Sequence, residues 1–425
     1  MDQMKRKLLF GERMLYGDGK SPFNMVIPFK ISGAIRESIV DLALSKMQQK
    51  HPWLTASITV DKDKRPWFTA HSVSSFKVKV RIISRYSDDD WKRQSETEWA
   101  ETFDASKSPL FRVTWIKGEE FSEFLFVFHH CLCDGTAGLS ILKEFLLLLD
   151  NPETEIGEEV AIQSINDIIP KKILNSYRKR TKNSLISKIA TLALWIIPVK
   201  KVAIDRKRDF LLHWKLDEQF TKAILLFCKA NGFTVNTLLS AVVLKAFKAV
   251  LADKAFNKIS LPVDIRNLNP LIKKDHVFAF GLMIVLSAAN TISFIEGVKQ
   301  LQKDVSRKLA KLDPYALMMM MEACHPSLTH FSNLLKYGKT SNDCMFSNLG
   351  KLDIPHEYEN FRLETIYSPS VIGPLGNTTT ILTSTFRKQM DFSFVASEGY
   401  VAFNDAERIK EKVISLLKEN LGTSN

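Results

Sequence analysis

The apolar positions of this chain follow two rhythms, one of period two and one near 3.6, and the switches between them mark out its elements. NMVIPFKI (24–31) reads as a strand, 35–51 as an amphipathic helix that stops before Pro52, and LTASITV (54–60) as a second strand. Beyond the turn DKDKRP, WFTA (67–70) and FKVKVRII (76–83) alternate as half-exposed strands do. Residues 88–104 open with DDDW, an acidic cluster suited to the positive end of a helix dipole. SPLFRVTWI (108–116) and EFLFVF (123–128) flank the turn KGEE and predict a hairpin. Its second arm carries five large apolar residues in succession, the mark of a strand buried on both faces. HHCLCDG follows, and Gly135 leads into an apolar pattern of helical period. Two imidazoles therefore stand where a central strand ends and a helix begins.

An acidic, loop-like stretch at 150–170 precedes a basic segment, and a second series of elements follows it. Residues 213–251 predict two helices, the first stopped by the C-cap pair Asn231 and Gly232 and the second started after Thr234. ISLPVDIR (259–266) predicts a strand leading to a turn at NLNP. FAFGLMIVLSAA (278–289) predicts another, in which Gly281 permits close backbone approach. Helices are expected over 292–311 and 315–323, strands at DCMFSNLG, FRLETIYSP, TTILTSTFR and DFSFVAS, and a closing helix over 406–421. No repeat of fixed short period and no low-complexity tract interrupts this order.

Length makes this a molecule of two parts. At 425 residues the chain exceeds the roughly 250–300 residues that one hydrophobic core supports, so two lobes of about 200 residues each are expected. The divisions are an N-terminal lobe at 1–150, a crossover linker at 151–208 and a C-terminal lobe at 209–425. The hydrophobic share of 45% excludes an intrinsically disordered chain. Five cysteines (131, 133, 228, 324 and 344) are odd in number and unpatterned, which points to reduced thiols. MDQMKRKLLFGERM lacks the apolar core of a signal peptide, so a cytoplasmic location is expected.

The net charge of +12 suggests nucleic acid until it is mapped. Twelve Lys or Arg fall within 171–208 against the single acid Asp205, which leaves the rest of the chain at +1. No nucleic-acid partner is expected from so local a charge; a crossover helix, an interfacial helix on an anionic membrane surface and a docking site for an acidic carrier protein are its three readings. Its apolar patch at 185–199, cut by Pro198, is too short to span a bilayer, which needs roughly 20 residues.

The candidate chemistry centres on the paired histidines. A hydroxyl is a poor nucleophile at neutral pH, and a histidine with an unperturbed pKa near 6.5 is suited to take its proton and return it to a leaving group. Neighbouring side chains on a strand point to opposite faces, so only one of His129 and His130 can face a channel. Asp134 before a helix reads as an N-cap and Gly135 as a turn or a point of close approach. GDGKS (17–21) ends like a phosphate-binding loop, but Met14 occupies the position of the required first glycine. His129, His130, Cys131 and Cys133 lack the spacing of a zinc site, so no metal is expected, and no G-x-S-x-G elbow is present. Met318, Met319, Met320 and Met321 read as adaptable packing.

HHCLCDG resembles the H-H-x-x-x-D-G signature of the superfamily that contains chloramphenicol acetyltransferase, the condensation domains of nonribosomal peptide synthetases, and the alcohol and polyketide-associated acyltransferases. FDASKSPLFRV, GFTVNTLLSAVVLKAF, LPVDIRN, FAFG and MFSNLGKLD are similar to segments that members carry in the same order, and the stand-alone alcohol acyltransferases look closest. The resemblance implies an α/β (α+β) fold of two similar lobes, each a mixed sheet flanked by helices, with a tunnel between them. It assigns the general base to His130 and leaves His129 packed. It makes Asp134 a structural residue held by an arginine of the other lobe, for which Arg266 is the candidate, and places Gly135 beside the channel. Ser347 and Asn348 are candidates for positioning substrate or stabilising an oxyanion. No bound cofactor is implied: the donor would be an acyl thioester on coenzyme A or an acyl carrier protein, and the acceptor an alcohol ahead of an amine. An amide-forming condensation enzyme and a catalytically silent docking module are the alternatives.

Overall fold

The computed structural model describes residues 4–63, 65–175, 207–288, 293–328, 332–333 and 341–422. Most of the basic segment, including the apolar patch at 185–199, lies outside the described residues.

In chain order the strands are β1 (Lys5–Lys7), β2 (Asn24–Ser32), β3 (Ala56–Val60), β4 (Pro66–Ala70), β5 (Lys79–Ser84), β6 (Phe111–Lys117), β7 (Phe121–His129), β8 (Asp209–Leu216), β9 (Lys258–Pro262), β10 (Met283–Ser287), β11 (Cys344–Lys351), β12 (Arg362–Ile366), β13 (Ser370–Ile372), β14 (Thr380–Phe386) and β15 (Gln389–Ser397). Two large mixed sheets dominate. The first has the order β12-β2-β7-β6-β5, with β13 also on β2, and the second the order β10-β9-β11-β14-β15-β8. A small sheet, β1-β4-β3, stands beside them. Helices flank the sheets, so the chain is an α/β protein of two lobes.

The run FLFVF is buried on both faces, as its lack of alternation predicts. β7 lies between β2 and β6, both antiparallel to it. On one face Phe124, Phe126 and Phe128 join Phe29, Phe111 and Phe145 in a layer of stacked and edge-to-face rings. Phe145 comes from the helix Gly135–Asp150, which the motif's glycine begins. Its Gly138 lies so close to the sheet that an added Cβ would come 2.6 Å from Ile27 Cδ1. The other face of β7 carries His129 and is covered by the helix Asp90–Ala100, whose Glu98 accepts from Arg112 and Thr114 of β6.

The second core gathers Phe346, Ile381, Phe392 and Phe394 from the sheet with the helices Val235–Leu251 and Phe403–Leu421. Alternate residues of the same strands, Leu211, Leu382, Phe386 and Val395, pack into the first core instead. The two lobes therefore share a packed contact along part of their seam. They also share strands: β12 and β13 follow residue 209, yet both pair with β2 of the first sheet.

Several elements differ from the sequence reading. HWKL belongs to β8, where Phe210, Leu212, Trp214 and Leu216 alternate into the second core, and the helix Glu218–Asn231 starts only after Asp217 caps Phe220 N. FAFG is not strand; only Met283–Ser287 is, because the backbone at 277–278 is engaged elsewhere, as described below. The strand at 259–266 stops at Pro262, and Asp264 starts a short 3-10 turn over Ile265–Asn267. The half-exposed strand predicted from residue 76 begins at Lys79. β1 and the helix Phe10–Tyr16 lie in a stretch read only for the absence of a signal peptide.

Candidate functional site

β7 ends at His129, and the chain turns at His130 before the helix Gly135–Asp150 begins. The last backbone bonds pin both imidazoles: His129 N donates to Leu110 O at 2.9 Å and His130 N to Phe23 O at 2.7 Å. Adjacent in sequence, the two rings go to different surroundings, as the strand geometry requires.

His130 Nδ1 lies 3.1 Å from the Cys133 carbonyl. A carbonyl only accepts, so Nδ1 carries the hydrogen and the neutral ring presents Nε2 as a lone-pair acceptor. Burial pushes its pKa below the ordinary 6.5, against the opposing pull of the Cys133 carbonyl and Asp134, so the ring is neutral at physiological pH. The edge of Phe23 contacts the ring at 5.2 Å between centroids. His130 keeps partial solvent exposure.

His129 is buried, and its Nδ1 accepts from Cys131 N at 3.3 Å. Burial, with His130 and Arg112 nearby, lowers its pKa to about 3. It is a packed, hydrogen-bonded residue between Tyr16 and Phe103. The thiols of Cys131 and Cys133 are buried and held protonated by desolvation.

Asp134 performs two tasks with its two oxygens. Oδ1 accepts from Ala137 N at 3.0 Å, the N-cap bond, and Oδ2 accepts from Arg266 Nη1 at 2.6 Å. The geometry thus brings together the aspartate and arginine paired in the sequence reading. Arg266 is itself buried among acceptors: Asp264 Oδ1, the Lys273 carbonyl at 3.2 Å and the His276 carbonyl. Thr136 donates to Asp264 Oδ2, Ser140 to the Lys274 carbonyl, and Asp134 N to Phe278 O at 3.1 Å. The 264–278 segment therefore grips the first turns of the motif helix. This engagement keeps FAFG out of a strand.

Gly135 faces the other lobe, where an added Cβ would come 3.1 Å from Leu349 Cδ2. Met345 and Leu349 of β11 pack toward the first core, so Ser347, between them in the alternation, shares the face turned to the motif helix. Asn348 takes the opposite face, in register with Thr383, and its Oδ1 accepts from Gly350 N at 2.8 Å. That bond, with Gly350 at φ +71°, forms the irregularity in the β11–β14 register between Asn348 and Lys351. Asn348 is engaged in shaping the strand end, and Ser347 is the better placed of the two for the seam.

Known proteins share this fold. Residues 5–155 match the Condensation domain family. The structure superposes on trichothecene 15-O-acetyltransferase from Fusarium sporotrichioides with a TM-score of 0.75 at 13% identity, covering 98% of this chain and 94% of that one. The first condensation domain of the calcium-dependent antibiotic synthetase gives 0.72 at 13% identity, covering 98% and 96%. The fold is chloramphenicol acetyltransferase-like. In sequence, the chain is 24% identical to bacitracin synthase 2 of Bacillus licheniformis over 238 residues, which is 53% of this chain and 8% of that protein. The match thus spans only a small part of that relative's length.

Two contributors to this site escaped the sequence reading. The Cys133 carbonyl, which sets the His130 tautomer, is a backbone group and leaves no mark in residue identities. The helix Phe10–Tyr16 lays Gly11 against the backbone of 279–281 and Tyr16 beside His129. The approach expected at Gly281 is made by this helix, with Met14 Cε 3.3 Å from where a Cβ would stand. A signal was available: Arg6 and Glu12 form a fully buried ion pair, and charges bracketing an apolar LLFG mark a short packed element.

Proposed function

We propose that this protein is an acyltransferase that moves an acyl group from a thioester, on coenzyme A or a carrier protein, to a hydroxyl acceptor. The observation that carries the reading is the Nδ1 bond of His130 to the Cys133 carbonyl, which leaves Nε2 basic and unoccupied by that partner. The acceptor hydroxyl gives its proton to Nε2 as its oxygen attacks the thioester carbonyl. The tetrahedral intermediate collapses with cleavage of the C–S bond, and the thiolate takes the proton back from the imidazolium. No covalent enzyme intermediate is needed. Ser347, on the seam face of β11, is our candidate donor to the oxyanion. Donor and acceptor would meet at His130 along the seam between the lobes.

The match to the Condensation domain family favours a second reading, amide formation on a carrier-bound substrate. Thiol release from a panel of acyl-coenzyme A and acyl-carrier thioesters, offered alcohols or amines, separates the two. Release that depends on an alcohol and disappears in His130→Ala supports the first; release only with amines and carrier thioesters supports the second. Binding of thioester without turnover for any acceptor would leave a docking module. We also propose, from its charge alone, that 171–208 contacts an acidic carrier protein in the cytoplasm. Salt-sensitive carrier binding lost on neutralising Arg178, Lys179, Arg180 and Lys182 supports this, and equal loss of binding to anionic vesicles without any carrier binding would assign the segment to a membrane surface.

A further inference from the structure

A second charged cluster, distinct from the Asp134 and Arg266 pair, lies buried behind the site. His51 caps the helix Glu37–Lys50 before Pro52 and is wholly inaccessible. Its Nε2 lies 2.6 Å from Glu144 Oε2 and its Nδ1 2.6 Å from Glu159 Oε2. A neutral imidazole donates from one nitrogen only, so carboxylates on both nitrogens require the doubly protonated ring. Glu144 belongs to the motif helix and also accepts from Lys50 Nζ, which reaches the Ile156 carbonyl and lies 3.7 Å from Asp275. The other oxygen of Glu159 accepts from Val277 N at 3.0 Å. One residue further on, the Phe278 carbonyl accepts from Asp134 N, and one residue back, the His276 carbonyl faces Arg266. His276 Nδ1 accepts from Lys273 N, so that ring is neutral at Nδ1.

We propose that His51 is a positioning residue, a buried imidazolium strut that holds Glu159 against the 276–278 backbone and so sets the Asp134 and Arg266 clamp beside His130. Its effect on turnover rests on the acyl-transfer reading; its effect on the clamp does not. The charged groups around it are Lys50, Glu144, Glu159 and Asp275, with Lys273, His276 and Arg266 beyond. Burial alone would lower the His51 pKa, but the hydrogen bonds and charges of Glu144 and Glu159 override it and hold it at about 9. Because the folded value lies above the unfolded value near 6.5, the stabilisation is complete below about pH 6.5 and is lost as pH rises through about 9. Neutral pH keeps the strut charged.

The test uses the full chain, with His51→Gln, Glu159→Gln and the double variant. Wild type should show the nitrogen shifts of an imidazolium for His51 up to about pH 9, and Glu159→Gln should move that titration lower. His51→Gln should melt lower at neutral pH and speed hydrogen exchange of the Asp134 amide by about tenfold or more, and Glu159→Gln on top of it should recover part of the melting temperature. With substrates, kcat should fall by about tenfold or more while KM changes little. A His51 ring that titrates near its ordinary value, or an Asp134 amide whose exchange is unchanged in both single variants, overturns the strut. Absence of turnover in wild type would sink the acyl-transfer reading alone, since the spectroscopic and exchange readouts still decide the strut. Should His51→Gln fail to fold, Glu159→Gln carries the same readouts.

Discussion

His129 and His130 are both kept neutral by burial, yet their ring nitrogens meet different partners. His129 uses Nδ1 as an acceptor inside the first lobe, whereas His130 anchors Nδ1 as a donor and keeps partial exposure. Because the His130 pKa lies below 6.5, its basic form is complete at neutral pH. Acceptor-dependent thiol release should therefore be level around pH 7–8 and decline on acidification with a midpoint below about 6.5. A rate profile with its midpoint above 7 would assign the base to another group. Asp134 and Arg266 call for different substitutions. Arg266→Ala leaves a partly buried carboxylate without its partner and should cost about 3 kcal/mol in denaturant unfolding, with loss of transfer. Asp134→Asn keeps an N-cap side chain and should cost about 1–2 kcal/mol. Wild-type melting and rate in either variant would show that the pair positions nothing.

The motif helix is fixed at its start by Asp134 and along its length by how closely it meets the sheet. Gly138 leaves no room for a Cβ against Ile27 and Met25, both deep in the first core, whereas Gly135 faces only the flexible end of Leu349. Gly138→Val should therefore destabilise by about 2 kcal/mol through overpacking, and Gly135→Ala by less than about 1 kcal/mol, measured by denaturant titration. Equal effects would refute the packing argument. The helices around this element were legible because their period and caps are local. Thr234 caps Thr237 N, Ser293 caps Glu296 N and Gly232 ends its helix in the left-handed conformation, all as residue types foretell. HWKL and FAFG were misread because their state is set by partners distant in sequence: β15 recruits the first into a sheet, while Asp134 N engages the Phe278 carbonyl at the start of the second and Glu159 the amide of Val277 just before it.

At the scale of the molecule, the two lobes are not separable units. β12 and β13 leave the second half of the chain to pair with β2, and the second sheet turns Leu211, Leu382, Phe386 and Val395 into the first core. A fragment ending near residue 175 would expose the β2 edge and that apolar face. It should aggregate or show molten behaviour by gel filtration and near-UV circular dichroism, and a well-packed monomeric fragment would contradict the shared seam. The segment that matches the Condensation domain family thus falls short of a complete folding unit.

What the sequence determined by itself was local and chemical: the buried β7, the strand-to-helix turn carrying His129, His130 and Asp134, the two-part molecule and the concentration of charge at 171–208. Periodicity, capping preference and composition act over a few residues, so they can be read without a fold. The tertiary structure decided that His130 carries its hydrogen on Nδ1 and leaves Nε2 as the acceptor, because a backbone carbonyl chose the tautomer. It also decided that Arg266 reaches Asp134 across 132 positions of the chain, that Ser347 and Asn348 point apart, and that His51 is charged. Each of these depends on burial and on partners that only chain folding brings together, and residue identity alone fixes neither.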